Sequence, residues 1–246
     1  MSGDSSGRTG TLVRGSGQGY ASSSIIERRR RILTTARKMI GAEGMAAINM
    51  DEISRRADVA KRTLYNAFQS KERLIAEAIQ QYFDDYEIQL PYTTPPATGG
   101  RVAEHIAIFP HRNPSIRNYT RALTNIYFSA DVDFELRRTI GEIVAHTHRP
   151  WIERLHAERQ LQPWIERDQL IDDILRYRYA LAHDWTNGRV PDDEVARMLI
   201  VGVMTMVIGA TKPRARRESE EVLRDIDAYI ALRDRGRTGP EGAAAF

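Results

Sequence analysis

The sequence predicts an all-α protein with a small N-terminal helical domain and a larger helical body. Apolar residues recur at helical spacing along most of the 246-residue chain, and no segment has the strict alternation of a half-buried strand. Proline and glycine clusters, such as residues 91–100, separate the helical segments. A chain of this length can bury a substantial core in one or two domains.

Two short helices joined by a tight turn are predicted within residues 49–68, which read NMDEISRRADVAKRTLYNAF. The first runs from about Met50 to Ala57. Asn49 is its expected N-cap, and Glu52, three residues on, completes a capping box. The second runs from Lys61 to Ala67, and the three residues between the helices form the turn. This arrangement is a helix-turn-helix, whose second helix enters the major groove of DNA.

A helical wheel indicates which side chains of the second helix face outward. At about 100° per residue, a helix with Leu64 inward places Arg62 and Asn66 almost opposite, one turn apart. Arginine pairs bidentately with guanine and asparagine with adenine, so this pair is suited to base readout. Thr63 and Tyr65 flank the pair and suit phosphate oxygens. The alternative is an ordinary surface helix pair with solvated charges.

Several segments fall at characteristic distances from one another: Ile32 to Ile40, Gly44, Met50-Asp51-Glu52-Ile53-Ser54, Thr63-Leu64-Tyr65-Asn66-Ala67-Phe68 and Ser70-Lys71-Glu72-Arg73-Leu74. Together they resemble the DNA-binding domain of the tetracycline-repressor-like (TetR) family, over roughly a fifth of the chain. Three positions depart from the family pattern. Asp58 replaces a turn glycine, Ala60 replaces a serine cap, and Ala67 replaces an aromatic residue or histidine. Aspartate tolerates the left-handed backbone better than most residues, so the turn is expected to survive.

The resemblance implies that Lys71 contacts the DNA backbone. Combined with the wheel, it predicts a set of residues that bind double-stranded operator DNA: Arg28, Arg29, Asn49, Lys61, Arg62, Thr63, Tyr65, Asn66 and Lys71.

Residues 1–24 are rich in glycine and serine, lack the apolar stretch of a signal peptide, and are expected to form a disordered basic tail. Ser22 to Ser24 offer caps for a first helix from about Ile25, which Gly44 ends as the C′ residue. Arg28 to Arg31 fall near its first turn, where positive charge opposes the helix dipole. Phosphate contact would explain this cluster; a solvated charge run is the alternative. Residues 25–70 are therefore predicted to form the DNA-binding domain.

Charge is divided unevenly along the chain. The first 70 residues carry 12 Lys/Arg and 6 Asp/Glu, a net charge of +6, whereas the remainder carries 24 and 27, a net charge of −3; the two give the overall +3. A basic N-terminal part suits phosphate, and the faintly acidic remainder does not. The chain has no cysteine, which excludes disulfides and thiolate metal sites.

Residues 71–246 are predicted to form a helical body for effector binding and dimerisation. A linking helix, capped by Ser70 and running to about Leu90, connects the two parts. The other helices are placed at about Val102–Phe109, Ser115–Ala130, Phe134–Arg159 with a possible kink at Pro150, Arg167–Asn187, Asp192–Lys212 and Glu218–Arg233. The most apolar stretch, Met198 to Ala210, is too short and interrupted to span a bilayer, so it should be buried.

A homodimer is expected through two late helices. The resemblance implies that Arg167–Asn187 and Asp192–Lys212 form a four-helix bundle with a second copy, and Gly202 and Gly209, on one face, would let a partner helix approach. The alternative is burial of this stretch within one subunit. The expected interface residues are Leu181, Trp185, Leu199, Gly202, Met206 and Gly209.

Aromatic and histidine side chains are concentrated in the middle of the body, which is typical of a ligand cavity. The expected lining residues are Phe109, Tyr119, Leu123, Ile126, Tyr127, His146 and Tyr177, although an ordinary core explains each of them equally well. His146 and His148 are two residues apart on a helix and face different ways, so no metal site and no cofactor are expected.

These features together predict a cytoplasmic, ligand-responsive transcription regulator, a repressor released from its operator by a small, largely apolar molecule. A regulator of the same fold without an effector is the alternative. An enzyme is disfavoured because the chain has no GxSxG elbow, Gly-rich phosphate loop or HExxH motif.

Overall fold

The computed structural model describes residues 17–44, 48–87, 90, 92–108 and 115–232. These residues contain no strand, only an isolated bridge between Leu161 and Thr211, so the predicted all-α class is confirmed. The helices are α1 (Gly17–Glu43), α2 (Met50–Arg56), α3 (Lys61–Phe68), α4 (Lys71–Glu87), α5 (Gly99–Ile108), α6 (Ile116–Phe128), α7 (Phe134–Ala157), α8 (Arg167–Thr186), α9 (Val195–Ala210), α10 (Pro213–Arg224) and α11 (Ile226–Ala231).

The first three helices and the start of α4 form the head of the molecule. Asn49 caps α2 through a hydrogen bond from the Glu52 backbone N–H, 2.7 Å long, as predicted. The second half of the expected capping box is replaced, because the Glu52 carboxylate accepts from Arg55 and Arg56 instead. Ala60 makes no side-chain cap at the start of α3. The two short helices of the helix-turn-helix therefore form where predicted.

Helix α1 begins at Gly17, eight residues before the predicted start. Residues 17–24 are helical, and the rest of the predicted tail, residues 1–16, lies outside the described part. The serines and glycines of residues 17–24 do not interrupt the helix, because serine costs it only a fraction of a kcal/mol per residue and glycine about 1 kcal/mol. At its other end, Gly44 has a φ of +75° and donates its N–H to the Ile40 carbonyl, which confirms the C′ assignment.

Helix α4 joins head and body. Ser70 caps its first turn by accepting from the Arg73 N–H at 3.1 Å, as predicted. The helix packs against α1 and α3 in the head and against α6 and α7 in the body. It ends at Glu87, short of the predicted Leu90, and residues 88 and 89 lie outside the described part.

In the body, α8 packs against α6, α7 and α9, and α5 packs against α7, α9 and α10. Helix α7 continues through Pro150. The predicted last helix, Glu218–Arg233, is corrected to two helices, because Pro213 starts α10 earlier, as its fixed φ and missing N–H allow, and the chain turns at Asp225. Within the described residues, no helix is both long and apolar enough to cross a bilayer.

Candidate functional site

Helix α3 presents the face that the wheel predicts. Leu64 and Phe68 are 0% and 1% exposed and anchor the helix to the head, whereas Arg62 and Asn66 are exposed. Tyr65 is also exposed, which is unusual for so large a ring. Two side chains that pair with base edges therefore stand together on open surface.

The turn before α3 is held by an arginine of α1. Asp58 has a φ of +50°, in the left-handed region that the turn requires. Arg31 donates from Nε to the Ala57 carbonyl at 2.8 Å and from Nη2 to the Asp58 carbonyl at 3.2 Å. Arg31 thus ties α1 to the end of α2 and fixes where α3 begins. The sequence groups Arg31 with a phosphate-binding cluster, because residue spacing carries no sign of this contact.

Arg29, expected to bind DNA, is engaged within the head. It donates to the Ala67 carbonyl at 3.1 Å, pairs with Glu77 of α4, and stacks over the Phe68 ring with 4.4 Å between the guanidinium carbon and the ring centroid. Arg28, its neighbour, is exposed. Of the two, only Arg28 is free of these contacts and available to phosphate.

The other predicted DNA-binding residues lie around α3. Lys61 pairs with Asp51 at 2.7 Å, which raises the pKa of the lysine through a hydrogen bond and Coulomb attraction. Thr63 and Lys71 are half-buried. The Asn49 side chain is exposed but is used by the α2 cap. These residues therefore differ in their freedom to bind DNA.

Tyr119, one of the residues expected to line a ligand cavity, lies at the contact between body and head. Its hydroxyl donates to the Arg37 carbonyl of α1 at 3.2 Å, and its ring lies 4.7 Å from that of Tyr82 of α4. Asn118 adds a 2.8 Å hydrogen bond to the Gly41 carbonyl. A Cβ built on Gly41 would lie 2.8 Å from the Tyr119 hydroxyl, so α1 and α6 approach this closely only because residue 41 is glycine. Head and body thus meet through α6 as well as through α4.

A polar cluster lies where α4 ends, among α4, α5 and α7. The Glu87 carboxylate accepts from the Tyr92 hydroxyl at 2.5 Å and lies 3.3 Å from His105 Nδ1 and 3.7 Å from His146 Nε2. Burial opposes the charged form of Glu87, but hydrogen bonds from His105, His146 and Tyr92 outweigh it and hold its pKa well below the usual range. Burial lowers the pKa of His105 to about 4, against the opposing effect of Glu87. At neutral pH, the cluster is an ionised Glu87 beside a neutral His105.

A second polar group lies between α7 and α8. Arg178, only 8% exposed, donates from Nη1 to the Val144 carbonyl at 3.1 Å, to the Thr147 hydroxyl at 2.6 Å and to His148 Nδ1 at 3.2 Å. Burial lowers its pKa to about 10, so it remains a cation at neutral pH. The described residues hold no group of three or more histidine or acidic side chains placed to bind a metal ion.

The remaining expected cavity residues are dispersed. Leu123 and Ile126 are buried on α6, and Tyr127 stacks on Tyr179 with 4.5 Å between ring centroids. The Tyr177 hydroxyl donates to the Met198 carbonyl of α9 at 2.7 Å. Phe109 lies outside the described residues.

The expected dimer residues divide into two groups. Leu181, Trp185 and Leu199 are buried in the chain's own core and offer little surface to a second copy. Gly202 and Met206 are half-buried and Gly209 is exposed. A Cβ on Gly202 would lie 2.1 Å from the Tyr177 hydroxyl, so this glycine admits a side chain of its own chain.

A stripe of two exposed apolar side chains and two small residues nevertheless runs along α9. Met198 is 39% exposed and Val201 is 42% exposed, and Thr205 and Gly209 continue the same face at helical spacing. Neither Met198 nor Val201 is among the interface residues that the sequence predicted. Their exposure depends on which face of α9 the body covers, and the sequence alone could not determine this.

Comparison with known proteins gives the family of the head and the fold of the whole. Residues 32–78 match the family model described as "Bacterial regulatory proteins, tetR family". A TetR transcriptional regulator from Rhodococcus sp. RHA1 shares 18% identity and a TM-score of 0.57, over 76% of this chain and 97% of that one.

Two further solved structures are similar. RolR in complex with resorcinol shares 14% identity and a TM-score of 0.56, over 82% of this chain and 95% of that one. Full-length native tylp, a TetR regulator from Streptomyces fradiae, shares 18% identity and a TM-score of 0.53, over 86% and 98%. Identities this low show a common fold. No curated protein matches the sequence.

The fold and the exposed face of α3 define a helix-turn-helix, DNA-binding protein. The match over residues 32–78 shows that the head is a DNA-binding domain of the tetR-family type, as the resemblance predicted. Proteins of this family are transcription regulators and not enzymes, and the chain is accordingly a DNA-binding transcription regulator.

Proposed function

We propose that this protein is a homodimeric repressor, acting in the cytoplasm, that a small, largely apolar effector releases from double-stranded operator DNA. The exposed pair Arg62 and Asn66 on α3 is the observation that carries the proposal. Arginine reads guanine and asparagine reads adenine in the major groove, so each head would read adjacent bases of one half-site. Residues 25–70 would be the reading head and residues 71–246 the effector-binding and dimerisation body.

Two routes from body to head support regulation by a ligand. Helix α4 is separated from α3 by two residues and ends at Glu87, in the body's polar cluster. Helix α6 is hydrogen-bonded to α1 through the side chains of Tyr119 and Asn118. A ligand that favours one arrangement of these helices would shift the heads away from the spacing that fits successive major grooves.

The stripe of Met198, Val201, Thr205 and Gly209 supports dimerisation through α9. Two exposed apolar side chains beside two small residues on one helix face suit a surface that a partner covers. A homodimer would also place two copies of α3 for a two-fold symmetric operator, as helix-turn-helix dimers require.

An effector is further supported by the buried polar groups of the body and by RolR, a protein of similar fold that was solved with resorcinol, a small aromatic molecule. Leu123, Ile126, Tyr127 and His146 are the proposed lining. The second candidate, a regulator of the same fold that needs no effector, is favoured by the direct packing of Tyr119 and Tyr177 in their own chain.

Selection of binding sites from random double-stranded DNA, with the purified full chain, tests the reading head. We expect an enriched two-fold symmetric site, and Arg62→Ala and Asn66→Ala should each relax one base position per half-site. Arg224→Ala, which removes an exposed arginine of α10, is the matched control. An unchanged site in both α3 variants would refute the assignment of the reading face.

Release of the protein from DNA is tested with a labelled operator that carries the selected site. The compounds tested are small aromatic and aliphatic molecules, some of them neutral and some charged. Release by a panel member, with operator DNA weakening that compound's binding by the same factor, would support the effector proposal. If no compound releases the operator, the effector-free regulator takes its place.

A further inference from the structure

Arg178 carries a positive charge in the interior of the body without an anionic partner. Its described hydrogen-bond acceptors are a carbonyl, a hydroxyl and an imidazole nitrogen, all neutral. Burying an ionised group without a counter-charge is costly, and buried charges in proteins are usually paired. The cost implies a compensating anion from elsewhere.

Neighbouring side chains do not supply that anion. Glu87, whose charge acts on Arg178 through space, forms no salt bridge with it and is instead engaged by Tyr92 and His105. His148 accepts from Arg178 at Nδ1 and therefore carries its proton on Nε2, which contacts the Ile171 carbonyl at 3.1 Å. Burial lowers the pKa of His148 to about 3, so it is neutral at neutral pH.

The guanidinium keeps one edge free among the described residues. All of its hydrogen bonds to them leave through Nη1, and neither Nε nor Nη2 donates to any of them. The Nε–Nη2 edge of arginine presents two parallel N–H groups that match the two oxygens of a carboxylate. A side chain that is more than nine-tenths buried thus retains a fork for a planar anion.

The surroundings of Arg178 on its helix are apolar. Ile174 and Leu175, one turn before it, and Leu181, one turn after it, are all buried. Glu87 and Tyr92 act on Arg178 from other elements, so the apolar contacts available to a molecule whose acid group reached Arg178 are those of its own helix. These observations define a ligand with one carboxylate and an apolar aromatic or alkyl remainder.

We propose that the effector site of this regulator binds a small monocarboxylic acid, with Arg178 as the residue that holds its carboxylate. This inference rests on the proposed effector function and specifies its ligand class. An acid bound there would neutralise the buried cation between α7 and α8, and α7 also contacts α4, the helix that leads to the head.

Matched acid and amide pairs test the proposal: benzoate and benzamide, 3-phenylpropanoate and 3-phenylpropanamide, and octanoate and octanamide. Calorimetric titration into the full chain at pH 7 should show at least one acid binding about tenfold or more tightly than its amide, since a hydrogen-bonded charge pair exceeds a neutral one by about that factor. Equal affinity within every pair, or binding by no acid, would overturn the proposal.

Variants assign the effect to the residue. Arg178→Met should abolish the preference for the acid, and Arg178→Lys should reduce it, because lysine keeps the charge and loses the fork. Arg176→Met, two residues away on α8, is the control, since Arg176 is exposed and pairs only with Asp172 and Asp173 among the described residues. The melting temperature of each variant shows that it folds. An acid preference that survives Arg178→Met would also overturn the proposal.

The same acid and amide pairs, tested for binding and for release of labelled operator, separate this inference from the effector function. Release of labelled operator by an amide, with no stronger effect of its acid, would leave the effector function standing and remove the acid assignment alone. Failure of every acid and every amide to bind, while operator binding is intact, would remove both and leave the effector-free regulator.

Discussion

The Tyr119 hydroxyl donates a hydrogen bond to the Arg37 carbonyl, 3.2 Å away, and so joins α6 of the body to α1 of the head. A Cβ built on Gly41 would lie only 2.8 Å from the same hydroxyl. The contact therefore depends on a tyrosine on one helix and a glycine on the other.

The first prediction concerns this pair. Gly41→Ala should destabilise the protein although alanine favours a helix by about 1 kcal/mol over glycine, because the methyl group collides with Tyr119. In the Tyr119→Phe background the same substitution should cost less, since the oxygen is gone. A double-mutant cycle in urea measures the difference, and additive free energies of unfolding would contradict the assigned contact.

The second prediction separates base-reading from phosphate-binding residues. Asn66→Ala should cost about 1–3 kcal/mol of operator binding and relax one base position per half-site, because a bidentate contact to adenine is lost. Lys71→Ala should weaken all DNA sequences alike. Quantitative binding to the selected site and to single-base variants of it distinguishes the two, and a base-specific effect of Lys71→Ala would argue against the division.

The third prediction compares two arginines of the basic cluster. Arg28→Gln should reduce the slope of log K against log salt by about 1, because one phosphate contact is lost. Arg31→Gln should leave that slope nearly unchanged but lower the free energy of unfolding by about 1 kcal/mol, since two carbonyls at the end of α2 lose their donor. Equal salt slopes for the two variants would mean that their roles are not distinct.

The sequence was most informative where the position of a side chain depends only on its own helix or turn. The outward position of Arg62 and Asn66 follows from the helical repeat once Leu64 is inward, and the left-handed Asp58 follows from turn chemistry. The roles of Arg29, Arg31 and Arg178 could not be read from spacing, because each depends on a partner 26 or more residues away in sequence. Gly202 shows the same limit: the sequence indicates close packing but not which helix approaches.

The fourth prediction concerns the dimer. Val201→Glu should dissociate the proposed dimer without unfolding the chain, because Val201 is exposed in a single copy and an unpaired charge in an apolar contact is costly. Gly202→Glu is a poorer probe, since any side chain there collides with Tyr177. Sedimentation of Val201→Glu, with Phe134→Glu at another exposed apolar site as control, checks the outcome. A dimer that persists in Val201→Glu would place the interface elsewhere.

The fifth prediction follows from the buried histidines. Both His105 and His148 have lower pKa values in the folded state, about 4 and about 3, than in the unfolded chain, so the unfolded state binds more protons below about pH 6.5. Stability should therefore fall as the pH drops from about 6.5 toward 4, by up to about 1.4 kcal/mol per pH unit for each histidine.

Urea unfolding at a series of pH values measures this loss. His148→Gln should reduce it, because glutamine offers Arg178 an acceptor without titrating. An identical profile for wild type and His148→Gln would exclude His148 as a source of the acid sensitivity.

One continuous apolar cluster runs from Ile32 in α1 to Ile226 in α11, through Leu64, Ile79 and Trp151. The reading head therefore has no hydrophobic core separate from that of the body. Ile75 and Ile79, which belong to this shared core, lie on α4, the helix that enters the body. A fragment that ends at residue 70 would lack Ile75 and Ile79 and would expose the apolar residues of the head that they cover. Heating the intact chain should melt both halves in one transition, so a compound that tightens the body would also delay the melting of the DNA-binding end.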